Sequence, residues 1–159
     1  KGTAGNLAKL NQSEKIYYIN EVESIESASF NPKNQTINWD PNHLIQTDEQ
    51  ILMSPATVLA HEMDHAQKYD EIIRSNDSDA IVSYNNSVKL GSDKQYHKKE
   101  ERRVIEGTEQ IAAKKHGEIR NDQKTRTNHK GKQRNENISN MSPEEISRYI
   151  YEFHNQYMK

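Results

Sequence analysis

Apolar positions along the chain fall into short runs separated by long polar stretches, and their spacing changes near residue 54. Residues 15–20 (KIYYIN) and 35–40 (QTINWD) are short and rich in β-branched and aromatic residues, which predicts two strands. The turn residues NPKN at 31–34, between SASF and QTINW, predict that the second strand belongs to a hairpin. Ser54 followed by Pro55 is an N-cap with proline in the first turn, and the helix it opens should reach about Arg74. At about 100° per residue, Ala56, Leu59, Met63 and Ala66 gather into one stripe of that helix. A second helix is predicted over 98–117, stopped by Gly117, and a third after the capping box SPEE at 142–145. The segment that follows WDPN reads as a polar loop, 75–97 as a surface excursion, and 118–140 as loop or partly disordered chain. The plan is an α+β fold in a single domain, 1–159: a short antiparallel edge sheet, two central helices and a terminal helix.

Composition narrows what such a fold could serve. With 31% hydrophobic residues and a mean hydropathy of -1.15, the core must be small and the surface heavily hydrated. Lys and Arg (22) nearly balance Asp and Glu (24), so no global field points to nucleic acid. No apolar run approaches the roughly 18 residues that span a bilayer, and KGTAGNLAKLNQSEK at the start lacks the apolar centre of a signal peptide. This predicts a soluble chain with no membrane partner. There is no cysteine, so any metal must be held by histidines and carboxylates.

Such a set is present. His61 and His65 are four residues apart, with Glu62 directly after the first, in the pattern His-Glu-x-x-His. On the predicted helix they lie opposite the apolar stripe, so successive turns present two imidazoles to one metal ion, and Glu62 is placed to take a proton rather than to ligate. A catalytic zinc needs a third protein ligand and an open position. In the helix 98–117, Glu101 sits in the centre of a face formed by Val104, Ile105, Thr108 and Ala112. A carboxylate buried there needs a cation, either the metal or an arginine. Glu100 and Glu106 point to the side or away, and Glu109 lies on the edge of the stripe.

The segments SPATVLAHEMDHA (54–66), EERRVIEGTEQ (100–110) and RTNH (126–129) resemble the gluzincin metallopeptidases. The likeness is to zinc peptidases of the NleD-like type III effectors and the C-terminal toxins of Rhs-type proteins, and more distantly to clostridial neurotoxin light chains. It covers about a third of the chain. The resemblance implies a zincin-like domain, the toxin or effector part of a longer protein, secreted or delivered into a target cell. It also implies a zinc endopeptidase acting on a protein or peptide substrate, with an immunity or inhibitor protein as a further partner. On that pattern His61, His65 and Glu101 hold Zn2+ and Glu62 is the general base. Arg126 and His129 stand at the spacing of an oxyanion-stabilising Arg-x-x-Tyr pair, with His in place of Tyr. The strand 35–40 would be the edge strand above the cleft.

Two other functional classes remain. One is a non-catalytic, zincin-like binding module. The other is a toxin directed at nucleic acid, suggested by the basic run KTRTNHKGKQR at 124–134, which has no interleaved aromatics for base stacking.

Overall fold

The structure is a computed structural model that describes residues 3–157. Helix α1 (Thr3–Leu10) lies against a much longer helix, α2 (Pro55–Ser75), around which the other elements are placed. Helix α2 begins as its cap signal predicts, with the Ser54 hydroxyl accepting from the Thr57 amide, and ends at Asn76 in the left-handed conformation. Met63 and Ala66 of the predicted stripe are buried and Leu59 is half-buried, but Ala56 is exposed. From Thr57 to Gln67 the helix is enclosed on nearly every side, with Val58 and Ala60 buried as well. A single stripe does not describe a helix covered by sheets on one flank and by a second helix on the other.

The first sheet holds β1 (Tyr18–Glu21), β2 (Ser29–Asn31) and β3 (Thr36–Trp39) in the order β1-β3-β2. The expected hairpin is formed by β2 and β3, with Phe30 opposite Ile37. Two expectations are corrected. Strand β3 is central rather than the edge, and because β1 pairs with it in parallel the sheet is mixed rather than antiparallel. The edge beside α2 is β2. Packing of Leu10, Ile37, Met63 and Ala66 ties α1 and this sheet to α2.

A second sheet falls where polar loop was expected. Strands β4 (His43–Thr47), β5 (Leu52–Met53) and β6 (Gly131–Asn137) pair antiparallel in the order β5-β4-β6. Strands β4 and β5 alternate between its two faces: Leu44 and Leu52 face Ile138, Ile150 and Phe153 on one side, while Ile45 and Met53 face Val58, Ile51 and Ala113 on the other. The outer layer is α6 (Pro143–Tyr157), whose predicted capping box is reciprocal: the Ser142 amide donates to Glu145 at 2.7 Å and the Glu145 amide to the Ser142 hydroxyl at 3.2 Å. Strand β6 reads GKQRNEN and carries no apolar residue, so its pairing is imposed by β4.

The excursion after α2 contains a helix, α3 (Ser78–Ser87), with no buried residue. The predicted second helix is present as α4 (Lys99–Val104), a π-helical turn (Ile105–Glu109) and α5 (Gln110–Lys115), and Gly117 stops it at φ 72°. No helix among the described residues is long and apolar enough to cross a membrane.

At the start of β6 a Cβ on Gly131 would stand 2.5 Å from Cδ1 and 2.7 Å from Cγ1 of Ile45. Since Ile45 is itself packed in the core, Gly131→Ala should destabilise the protein by about 1–3 kcal/mol through overpacking. Urea unfolding of both proteins at matched metal loading measures this; equal midpoints would show that Ile45 yields freely.

Candidate metal centre

Side chains of α2 and α4 meet across a buried gap. His61 and His65 project from successive turns of α2, and Glu101 comes from the first turn of α4. His61 Nε2 and His65 Nε2 are 3.1 Å apart, and Glu101 Oε2 lies 3.2 Å from the first and 3.4 Å from the second. Donors at 2.0–2.2 Å from a tetrahedral ion stand about 3.3–3.6 Å from one another. The three atoms therefore lie near the separations of one face of such a polyhedron, and this buried group could bind a metal ion.

The remaining ring nitrogens are held by carboxylates, each clasped by an arginine. His61 Nδ1 is 2.8 Å from Glu109 Oε2, and Arg126 donates to Glu109 through Nε at 3.0 Å and Nη2 at 2.5 Å. His65 Nδ1 is 3.3 Å from Glu100 Oε1, and Arg103 spans Glu100 at 2.6 Å and Asp64 at 2.5 Å. A carboxylate on Nδ1 keeps the N–H there and turns the Nε2 lone pair toward the ion. Glu100, expected to point to the side or away, is buried against His65, and its role went unread, as did those of Arg103 and Asp64. The signal was present in EERR: with Glu101 facing one imidazole, the residue before it can reach the next turn of α2. Glu106 turns outward to Arg102 and Tyr96.

His129 Nε2 is 3.1 Å from Glu101 Oε2, and Lys98 Nζ is 3.5 Å from Oε1, both at the rim. Glu62 is 7% exposed and makes no hydrogen bond or ion pair among the described residues. It lines two cavities, of about 230 Å³ and about 370 Å³, and His129 borders both. His61, Glu62, His65, Glu101 and His129 are thus brought together, while Arg126 is engaged with Glu109 behind His61.

No family model, curated protein or solved structure matches the chain. The chemistry of the site rests on its own geometry.

That geometry demands positive charge. Glu62, Asp64, Glu100, Glu101 and Glu109 face Arg103, Arg126 and Lys98, an excess of two negative charges that one divalent ion offsets. Without an ion, protons take its place. Burial works against charging His65, but the hydrogen bonds its ring donates to Glu100 and Glu101 outweigh it and push the pKa up to about 10; His61 is raised by Glu101 and Glu109 against the same penalty. Glu109 is fully enclosed, which favours its neutral form, yet Arg126 and then His61 hold it down to about 2.

In metal-free protein a proton on His65 stabilises the fold fully below its unfolded pKa of 6.5, and that contribution is lost as pH rises through about 10. The melting temperature of metal-free protein should fall across this window, while a bound divalent ion, which displaces the proton, should remove the slope. Thermal scans from pH 6 to 10 with and without metal test this, and parallel profiles would contradict it. Glu109→Gln, which keeps an acceptor beside His61 and Arg126, should retain the fold when metal is supplied but weaken metal affinity by about 10–100-fold, measured by competition with a chelator.

Proposed function

We propose that the chain is a zinc-dependent peptidase. A set of two imidazoles and one carboxylate suits zinc and leaves a fourth position open. The observation that carries the reading is Glu62: a carboxylate enclosed beside the ligand atoms, unpaired among the described residues, and lining both cavities. A structural metal site has no use for an unpartnered acid at that position, whereas hydrolysis requires one.

A zinc ion held by His61, His65 and Glu101 would supply Lewis acidity to a water molecule and to the scissile carbonyl. Glu62 then takes a proton from the attacking water and delivers it to the leaving amine nitrogen, so that water and peptide become an acid and an amine. His129, 43% exposed at its side chain, stands at the rim where its ring can donate to the carbonyl oxygen as charge develops there. Arg126 contributes by holding Glu109, and through it the ring of His61. Strand β2 offers the free edge of the first sheet to an extended peptide, the part once expected of β3. An effector or toxin context, with an immunity partner, is what the resemblance adds.

Nucleic acid is less favoured as a substrate. In the basic run, Arg126 is buried on Glu109 and Arg134 is paired with Glu136, which leaves only Lys124, Lys130 and Lys132 exposed there.

Glu62→Gln should retain stoichiometric zinc and the fold while losing about 10²–10⁴-fold in hydrolysis of a peptide mixture. Undiminished hydrolysis would remove the proposed base. Glu101→Ala should lose both zinc and activity, and Glu106→Ala neither, as read by metal analysis beside the same assay.

A further inference from the structure

We propose that the peptides cleaved carry an aromatic side chain on one side of the scissile bond and a medium-sized aliphatic side chain on the other, an assignment that rests on the peptidase reading above. The two cavities share Ala28, Glu62 and His129 and have no other wall residue in common, so a chain crossing the Glu62 carboxylate can place one side chain in each. Their walls differ in kind as well as in size.

The larger cavity, about 370 Å³, is walled by the rings of Phe30, Tyr69 and Tyr84. Phe30 and Tyr69 lie 5.7 Å apart at 55°, and Tyr69 and Tyr84 6.3 Å apart at 51°. These are the tilted arrangements in which an aromatic edge meets a face, and a ring entering the cavity can continue them. Asn85, exposed beside it, offers a polar group to a phenolic hydroxyl. A basic side chain is disfavoured, because Glu100 is committed to Arg103 and His65, Glu101 to the imidazoles, and Lys98 stands at the same wall. An acidic one would meet the carboxylate of Glu62, which makes no hydrogen bond or ion pair among the described residues.

The smaller cavity, about 230 Å³, is walled by Ile25, Ile45, Met53 and Val58 and has no Phe, Tyr or Trp in its lining. All four belong to one packed cluster, so this wall is fixed and its size selects. The Arg126–Glu109 pair closes the inner end with its charges already matched. By contrast, Tyr84 and Val88 belong to α3 and its C-cap, an element without a buried residue, and can be changed without disturbing the core.

The test is cleavage of a protease-digested proteome by the zinc-loaded chain, with new peptide termini read by mass spectrometry. The wild type should enrich Phe and Tyr at one flanking position and Leu, Ile and Met at the opposite one. Val88→Trp, which narrows the larger cavity, and Tyr84→Ala, which removes a ring, should each lower cleavage at aromatic-flanked bonds by about tenfold at unchanged zinc content. Val58→Ala should broaden acceptance on the aliphatic side only. Cleavage with no aromatic enrichment, or an aromatic preference that survives both α3 substitutions, overturns the assignment while leaving the peptidase reading intact. If the wild type with full zinc cleaves none of these peptides, the peptidase reading fails and the assignment falls with it.

Discussion

Two imidazoles cannot be buried among five carboxylates unless positive charge is buried with them, and the layout of the protein follows from that constraint. Desolvating an isolated carboxylate costs far more than any single packing contact returns. Glu109, 1% exposed, therefore requires Arg126, and the 118–130 segment must fold back from α5 to bring it. That segment is held by its own contacts: the Thr47 hydroxyl donates to the Thr125 carbonyl at 3.0 Å, and the Thr127 amide donates to Glu49 at 2.7 Å. Ile119 anchors the start of the segment in the core cluster, and charge compensation at the site fixes the path of the polar stretch that follows.

The two imidazoles are supported unequally. Behind His61, the Glu109–Arg126 pair is buried on both members, whereas Arg103 behind His65 is 38% exposed at its side chain. Pairs cut off from water hold their geometry more strictly, and pairs near the surface are screened and can rearrange. His61 is accordingly the more firmly held corner of the candidate ligand triangle. Arg103 also bridges to Asp64, so the acid inside the His-Glu-x-x-His motif acts as a strut between α2 and α4 and not as a ligand. This gives a physical account of a residue that would otherwise be a costly choice on an enclosed helix.

What could be read from the sequence follows where the driving force was local. Ser54-Pro55, the capping box at Ser142–Glu145 and Gly117 mark helix ends through contacts within a few residues, and they mark them correctly. The spacing of His61 and His65 guarantees a shared face on any helix, and the apolar neighbours of Glu101 placed it inside. Strand β6 and the α1 helix were not legible, because their order comes from partners far along the chain: Gly131–Asn137 exists as a strand only against His43–Thr47. The same holds for Glu100 and Arg103. Their roles depend on how far α2 slides past α4, which no period along one helix contains.

The π-helical turn at Ile105–Glu109 shows how the two levels combine. In an uninterrupted α-helix Glu109, eight residues beyond Glu101, would be rotated from it by about 80°, and both could not meet the same imidazole squarely. A π turn takes in one extra residue, so Glu109 lies where a residue seven positions on would lie, within about 20° of Glu101. Both carboxylates then reach His61, Glu101 at Nε2 and Glu109 at Nδ1. The same phase lag explains why Ala113, rather than Ala112, joins the cluster of Ile45, Met53 and Val58 beneath the site, though both alanines are buried. The wider turn aligns one candidate ligand and one support on a single helix face, and it does so at the point where a straight helix would have forced a choice between them.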